Sequence, residues 1–296
     1  MLSIDLCGLK IKNPLILAAG IMGTTGGSLK RIAEAGAGAI VTKSIGIEPE
    51  VGHNNPTMVE LDCGYLNAMG LPNPSYKNFQ PEIDTAKEGG VPVIVSIFGG
   101  SADEFSEIAG AIRADAFELN VSCPHVCGYG AQIGSDPVLV EEITKDVKSA
   151  TNVPVWVKLT PNVTDIKGIG RAAQRGGADA VVAINTVRGM AIDIESGYPI
   201  LGNKFGGLSG RAVKPVAIKC VYDLYEALEI PIIGVGGISD HRDAIEFIMA
   251  GASAVQMGSA VGEKINIFTD ISSGMESFLE EKNWTLDQIK GMAHKL

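Results

Sequence analysis

Residues 231–238 read Pro-Ile-Ile-Gly-Val-Gly-Gly-Ile, an apolar run that ends in a pair of glycines. The run shows no alternation of polar and apolar residues, which is typical of a parallel strand that is buried on both faces. A helical pattern follows at residues 240–250, and the next apolar run, 254–257, also ends in small residues, Gly258 and Ser259. This order of strand, loop, helix and strand predicts a parallel α/β unit.

The same unit recurs along the whole chain. Apolar runs of this kind occupy residues 15–18, 39–42, 92–97, 116–119, 154–159, 180–184, 231–235 and 254–257. Helical spacing of apolar residues occurs at residues 28–35, 102–114, 137–150, 166–175, 213–228 and 240–250. Eight such runs predict an α/β fold of the (β/α)8 TIM-barrel type, with an open doubly wound sheet as the alternative.

Three connections, residues 45–78, 121–136 and 186–212, are too long to be simple turns. All three follow a predicted strand, so in a barrel they lie on the C-terminal face, where active sites of this fold are built. Residues 2–11 alternate enough to predict a short N-terminal hairpin at the opposite end. Because no linker or change of composition interrupts the chain, we expect residues 1–296 to form a single domain.

Composition excludes several classes of protein. The chain has 296 residues, of which 46% are hydrophobic, and a net charge of −10. The apolar content excludes a disordered chain, and the negative charge argues against nucleic acid and anionic membranes as partners. Five cysteines without a Cys-x-x-Cys pair argue against a disulfide framework or a metal site, so we expect a cytoplasmic protein. From residues 1–29 we also expect neither a signal peptide nor a transmembrane segment.

The loops after the seventh and eighth predicted strands are rich in small residues, which are Gly236, Gly237, Gly258 and Ser259. In a (β/α)8 barrel these two loops are the usual phosphate site. Glycine lets backbone N–H groups approach phosphate oxygens closely. One such loop alone could be only a tight turn, but the pair predicts phosphate binding.

Two lysines, Lys43 and Lys158, lie at the ends of apolar runs. In a barrel, these positions direct a side chain into the mouth rather than onto a solvated helix face. An acidic protein that binds an anion needs such local cations. The alternatives are a Schiff-base nucleophile and a structural lysine at the rim.

Residues 118–125 read Glu-Leu-Asn-Val-Ser-Cys-Pro-His, so a predicted strand ends at Asn120 and a loop carries Cys123. A thiol has an ordinary pKa of about 8.5, and a modest decrease gives it the character of a base near neutral pH. The alternative is a small buried apolar residue. Nearby glycines at 128 and 130 give this loop the freedom of a lid.

Taken together, the motifs resemble the flavin-dependent dihydroorotate dehydrogenases of the soluble class, above all the FMN-bearing catalytic subunit of the NAD-linked type. The resemblance covers nearly the whole chain. It is carried by Lys12-Asn13-Pro14, Ala18-Ala19-Gly20, Thr42-Lys43-Ser44, residues 66–71, 120–124 and 157–163, Asn185-Thr186, residues 206–210 and the two glycine loops.

This resemblance implies oxidation of dihydroorotate to orotate in pyrimidine biosynthesis. Cys123 would remove the proton from C5, and FMN would accept the hydride from C6. The substrate would be held by Lys43, Asn67, Met69, Gly70, Leu71, Asn120, Asn185 and Thr186. FMN would be held by Ala19, Gly20, Lys43, Ser44, Asn120, Lys158, Ile184, Gly210, Gly236, Gly237, Gly258 and Ser259.

The resemblance also implies partners. A homodimer of this chain would bind a second subunit with FAD and a [2Fe-2S] cluster, as a heterotetramer that passes electrons to NAD. Fumarate is the alternative electron acceptor. Ser-Cys-Pro-His at residues 122–125 also resembles the flavin barrel of dihydropyrimidine dehydrogenases, which act on uracil and thymine. A flavin-free Schiff-base lyase and a non-catalytic binding barrel remain further alternatives.

Overall fold

A computed structural model describes residues 2–121 and 133–295. In chain order the strands are β1 Ile4–Leu6, β2 Leu9–Ile11, β3 Leu15–Leu17, β4 Ala39–Val41, β5 Met58–Leu61, β6 Gly64–Asn67, β7 Val93–Ile97, β8 Ala116–Asn120, β9 Val155–Leu159, β10 Ala180–Ala183, β11 Val187–Gly189, β12 Gly206–Ser209, β13 Ile232–Val235 and β14 Ala254–Met257. Eight of them, β3, β4, β7, β8, β9, β10, β13 and β14, form a closed barrel. All neighbours in the barrel are parallel, and β14 closes it by pairing Val255 with Leu15 of β3.

The predicted apolar runs coincide with these barrel strands to within one residue at each end. The predicted (β/α)8 barrel is therefore confirmed, and the open doubly wound sheet is wrong. The reason for the agreement is burial, since the strand residues of the barrel contact helices on the outside and other strand residues on the inside.

Helices lie between successive barrel strands, and three more follow the last strand among the described residues. They are α1 Gly26–Glu34, α2 Gln80–Lys87, α3 Ala102–Ala111, α4 Pro137–Ala150, α5 Ile166–Arg175, α6 Lys214–Ala227, α7 His241–Met249, α8 Ser259–Glu263, α9 Ile267–Lys282 and α10 Leu286–Ile289. The bounds of α4 and α5 agree with the prediction. The predicted helix at residues 102–114 was too long, because Ile112 is already extended, with φ −98° and ψ 139°. None of these helices is long and apolar enough to cross a membrane.

Sequence analysis missed α2, α8, α9 and α10. In α2 only Ile83 and Ala86 are buried, so its apolar pattern is too short to distinguish it from the preceding connection. In α9, buried residues such as Phe268, Met275 and Leu279 do follow helical spacing. This helix lies after the last barrel strand, outside the repeating strand–helix units that the apolar pattern predicts.

The hairpin predicted for residues 2–11 is confirmed, and it closes one end of the barrel. Strands β1 and β2 are antiparallel, with Ile4 opposite Ile11. Leu6 and Ile11 are buried in the same apolar cluster as the barrel interior. The thiol of Cys7 donates to the carbonyl of Asp179, 3.3 Å away, just before β10 begins. The hairpin therefore covers the amino ends of the strands.

Two of the long connections, which sequence analysis treated as loops, contain strands of their own. Residues 45–78 contain β5 and β6, and residues 186–212 contain β11 and β12. These strands form one antiparallel sheet in the order β11, β12, β6, β5. Each has only three or four residues, and neither β5 nor β12 contains a fully buried residue, so the sequence carried little signal for them. This sheet, called here the cap sheet, connects two loops that are remote in sequence.

Candidate functional site

A cavity of about 800 Å³ opens at the carboxyl ends of the barrel strands. Its volume lies in the range of sites for small molecules and cofactors, about 300–1,000 Å³. Strand ends form its floor, and the cap sheet forms part of its wall. The lining includes all predicted binding residues, which are Ala19, Gly20, Lys43, Ser44, Asn67, Met69, Gly70, Leu71, Asn120, Lys158, Ile184, Asn185, Thr186, Gly210, Gly236, Gly237, Gly258 and Ser259. Cys123 lies outside the described residues.

Both predicted lysines belong to the cavity floor. Lys43 follows β4, and Lys158 lies within β9. They are 9% and 6% exposed, respectively, although both line the cavity. Cations that are this buried require a negative partner or guest, because desolvation of a charge is costly unless it is compensated. The two lysines therefore place positive charge on the cavity floor of a chain whose net charge is −10.

Lys158 belongs to a buried cluster that sequence analysis did not assign. Its ammonium donates to Oε1 of Glu118 on β8 at 3.3 Å and to Oε1 of Gln256 on β14 at 3.4 Å. The amide of Gln256 donates in turn to Oε2 of Glu118 at 2.6 Å. A signal did exist in the sequence, since Glu118 and Gln256 interrupt otherwise apolar runs.

A series of hydrogen bonds crosses the strand ends beside this cluster. The hydroxyls of Ser44 and Ser96 lie 2.8 Å apart, and the amide of Asn120 donates to Ser44 Oγ at 3.2 Å. The amide of Asn185 donates to Asn120 Oδ1 at 3.3 Å, and its own Oδ1 accepts from the backbone N–H of Thr186 at 2.8 Å. These bonds fix the orientation of two amide groups that face the cavity.

Asn162 supports the loop that carries Thr186. Its amide donates to the carbonyl of Thr186 at 3.0 Å, and its Oδ1 accepts from the N–H of Arg188 at 2.9 Å. Asn162 belongs to a motif used for the resemblance, but the sequence assigned it no separate role. Its position follows from a bond between loops of different strands, which residue spacing does not reveal.

The first glycine loop, Gly236-Gly237, comes close to the segment that precedes α6, and Gly258 of the second loop lies beside Ala18 and Ile21. Gly236 and Gly237 have φ values of +139° and +72°, which non-glycine residues rarely adopt. A Cβ atom at position 237 would lie only 2.8 Å from the carbonyl oxygen of Gly210. The backbone here is thus exposed to the cavity without side chains, and α8 begins directly after Gly258. Together with the buried lysines, this arrangement fits a cofactor that carries a phosphate.

The cap sheet is attached to the barrel at the cavity wall. The hydroxyl of Tyr65 on β6 donates to Glu263 of α8 at 3.0 Å, and this bond raises the pKa of Tyr65 above its ordinary value of 10.0. On the inner side, the amide of Asn67 donates to the carbonyl of Gly207 on β12 at 3.2 Å. The predicted residue Asn67 is therefore held by a strand that sequence analysis had assigned to a loop.

Comparison with known proteins identifies the family. Residues 1–279 match the model of the family described as dihydroorotate dehydrogenase. The chain is 66% identical to the protein of Methanocella arvoryzae named dihydroorotate dehydrogenase B (NAD(+)), catalytic subunit, over 98% of this chain and 96% of the relative. Proteins of the same name from Methanosarcina mazei and Pyrococcus abyssi are 65% and 52% identical, over 98% and 100% of this chain and 95% and 100% of theirs.

A solved structure supports the fold. The chain is similar to a dihydroorotate dehydrogenase of Eimeria tenella, crystallised with ferulenol, with a TM-score of 0.87 and 22% identity. The likeness covers 100% of this chain and 89% of the other. At this identity it bears on the fold alone, and that fold agrees with the barrel described above. From the family match and the high identity to its curated relatives, we conclude that this chain belongs to the dihydroorotate dehydrogenase family.

Proposed function

We propose that this chain oxidises dihydroorotate to orotate in pyrimidine biosynthesis, as the FMN-binding catalytic subunit of an NAD-linked enzyme. The observation that carries the proposal is the cavity at the carboxyl ends of the strands, with Lys43 and Lys158 on its floor. The relatives named as catalytic subunits support the choice of substrate.

In this proposal, FMN supplies the acceptor for the hydride that leaves C6 of dihydroorotate. The chain provides charge, orientation and shape. The glycine loops at 236–237 and 258–259 would hold the phosphate of FMN through their backbone. Lys158 would face the part of the ring system that becomes negative on reduction, and its ammonium would stabilise that charge.

The substrate would be oriented by groups that donate and accept hydrogen bonds. Dihydroorotate is a ring with carbonyl and N–H groups and one carboxylate. Asn67, Asn120 and Asn185 each offer both a donor and an acceptor to such a ring, and Thr186 extends the same wall. Lys43 is the cation proposed to contact the carboxylate. The hydrogen bonds among Ser44, Asn120 and Asn185 would hold these groups in place before the substrate binds.

Cys123 is the proposed base that takes the proton from C5. The chain leaves the described strand β8 at Asn120, on the cavity wall, three residues before this cysteine. Proton removal at C5 and hydride transfer from C6 together account for both hydrogens that are lost when dihydroorotate becomes orotate. The proton would go to the thiolate, and the electron pair would go to the flavin.

Electrons must then leave the flavin. The names of the relatives specify both NAD(+) and a catalytic subunit, so we infer a second subunit that links this chain to NAD. FAD and a [2Fe-2S] cluster on that subunit, and a heterotetramer built on a homodimer of this chain, complete the proposal. Rapid reduction of fumarate by the isolated chain, with no second subunit recovered from cell extract, would contradict it.

The decisive experiment is anaerobic reduction of the purified, FMN-loaded chain. Dihydroorotate should bleach the absorbance of the oxidised flavin at roughly catalytic rates of 1–1,000 s⁻¹. Dihydrouracil lacks the carboxylate and serves as the matched compound. Bleaching by dihydrouracil but not by dihydroorotate would instead favour a uracil-type enzyme.

The structure also bears on the Schiff-base alternative. A Schiff base forms from a neutral amine, whereas Lys158 donates to a buried carboxylate and a buried amide. This ion pair suits an electrostatic role for Lys158. Trapping of a carbonyl compound on Lys158 by borohydride would reverse that conclusion.

A further inference from the structure

Three polar side chains meet inside the barrel, directly below the proposed flavin site. They are Glu118, Lys158 and Gln256, which come from three different strands, β8, β9 and β14. Glu118 and Gln256 are fully buried, and Lys158 is 6% exposed. Trp156, two residues before Lys158 on the same strand, belongs to the apolar cluster farther inside. The cluster therefore lies at the boundary between the apolar interior and the cavity.

The bonds within this cluster form a closed ring. Lys158 donates to both partners, at 3.3 Å and 3.4 Å, and Gln256 donates to the second oxygen of Glu118 at 2.6 Å. Both carboxylate oxygens of Glu118 are thus engaged. The side-chain amide of Gln256 donates to Glu118 and accepts from Lys158, so it fixes the positions of both groups.

The energetic cost of burying Glu118 indicates that the three polar side chains do more than pack the interior. A buried carboxylate costs several kcal/mol of desolvation, and an ion pair rarely returns more than well-packed apolar residues would. A purely structural interior could continue the apolar packing of Trp156. The polar ring is instead located where Lys158 meets the cavity, which indicates a role connected with the ligand.

We propose that Glu118 is a positioning residue that holds the Lys158 ammonium on the cavity floor and offsets its charge, so that the flavin keeps a lower reduction potential than Lys158 alone would give it. The inference rests on the proposed binding of FMN. A positive charge beside the ring favours the reduced, anionic form, and a carboxylate 3.3 Å from that charge weakens its effect. Gln256 acts through Glu118 by fixing its second oxygen.

The test is the midpoint potential of the FMN-loaded full chain, measured against a reference dye during enzymatic reduction without dihydroorotate. In Glu118→Gln we expect the ratio of affinities for reduced and oxidised FMN to rise at least tenfold, a positive shift of about 30 mV for a two-electron couple. Glu118→Asp keeps the negative charge but moves the carboxylate away from the Lys158 ammonium, because the side chain is one methylene shorter. We therefore expect a smaller positive shift of the midpoint potential. This second variant keeps the test valid if Glu118→Gln does not fold.

Asp179→Asn is the matched control. Asp179 pairs with Lys148 at 2.7 Å, just before β10 and at the opposite end of the barrel. It undergoes the same change from carboxylate to amide beside a lysine, and it should leave the potential unchanged. An equal shift in this control would show that any lost ion pair moves the potential, and would overturn the role of Glu118.

The remaining outcomes separate the two proposals. An unchanged or more negative potential in both Glu118 variants overturns the role of Glu118 but leaves the proposed function intact. A wild-type chain that binds FMN but is not bleached by dihydroorotate overturns the proposed substrate and not this inference. A wild-type chain that binds no FMN overturns both.

Discussion

The two ends of the barrel interior are built from the same strands but differ in chemistry. At the amino end, Trp156 and Ile16 pack with Leu6 of the hairpin in a buried apolar cluster. At the carboxyl end, Lys158 and Glu118 form a buried ion pair at 3.3 Å beside the cavity. A single strand, β9, contributes Trp156 to one end and Lys158 to the other.

A thiol at the closed end shows the effect of burial. Cys7 belongs to the hairpin at the closed end, where burial above all, with the nearby charge of Asp179, raises its pKa to about 11. Such a thiol remains protonated at neutral pH and is unsuited to act as a base. A cysteine that serves as the base must lie at the open end, as proposed for Cys123. The comparison teaches that one end of the interior provides stability and the other provides chemistry.

The largest expected effect concerns the open end. Replacement Cys123→Ser should slow bleaching of the flavin by dihydroorotate by about 10²–10⁴-fold, because a hydroxyl is a far weaker base than a thiolate. Stopped-flow absorbance measures the rate, and the absorbance of the purified protein reports whether FMN is still bound. Cys7→Ser, at the closed end, is the matched control and should bleach at the wild-type rate. Equal rates for Cys123→Ser and the wild type would remove Cys123 as the base.

A change at the closed end should instead affect stability. Leu6 is 1% exposed, so Leu6→Ala should lower the free energy of unfolding by about 2–5 kcal/mol through the cavity that it leaves. Chemical denaturation measures this loss, with Val51→Ala, at a position that is 96% exposed, as the control. If Leu6→Ala left stability unchanged but abolished flavin reduction, the division between the two ends would be wrong.

The smallest expected effect concerns Asp243, a carboxylate at the open end that has a structural role. Burial alone would raise the pKa of Asp243, but its bonds to Lys214 and Ser239 outweigh burial and hold it below the ordinary 3.8. Asp243→Asn should lower the free energy of unfolding by about 1 kcal/mol at pH 7, because it removes the charge that pairs with Lys214 at 2.7 Å.

The pH dependence of this difference has a definite sign. A carboxyl whose pKa is lower in the folded state stabilises the fold fully above its unfolded pKa, about 3.9, and loses that contribution as pH falls through the folded value. Wild type and Asp243→Asn should therefore converge in stability below about pH 4. A difference that is constant from pH 7 to pH 3 would show that the charge of Asp243 is not the cause.

Much of the fold could be predicted because buried parallel strands have a simple pattern. All eight apolar runs became barrel strands, and α4 and α5 had the predicted bounds. The cap sheet could not be predicted in this way. Its strands β6 and β12 pair Asn67 with Gly207, 140 residues apart, within segments that have neither alternation nor a continuous apolar run.

The candidate site was predictable to a similar degree. Lys43 and Lys158 were evident because a charge at the end of an apolar run has few structural explanations. Glu118 and Gln256 broke the same pattern but received no role, since neither has meaning until β8 and β14 are placed around Lys158. Tyr65 and Glu263 carried no sequence signal for their contact.

The sequence alone was enough to predict the closed barrel, the end at which its site lies, and 18 of the 42 described residues that line the cavity. These properties follow from local patterns, because a buried strand and the polar residues at its end are adjacent in the sequence. Two features became known only from the folded structure. Lys158 contacts Glu118 and Gln256, and the cap sheet forms part of the cavity wall. Such contacts join residues remote in sequence, and their existence depends on how the barrel closes.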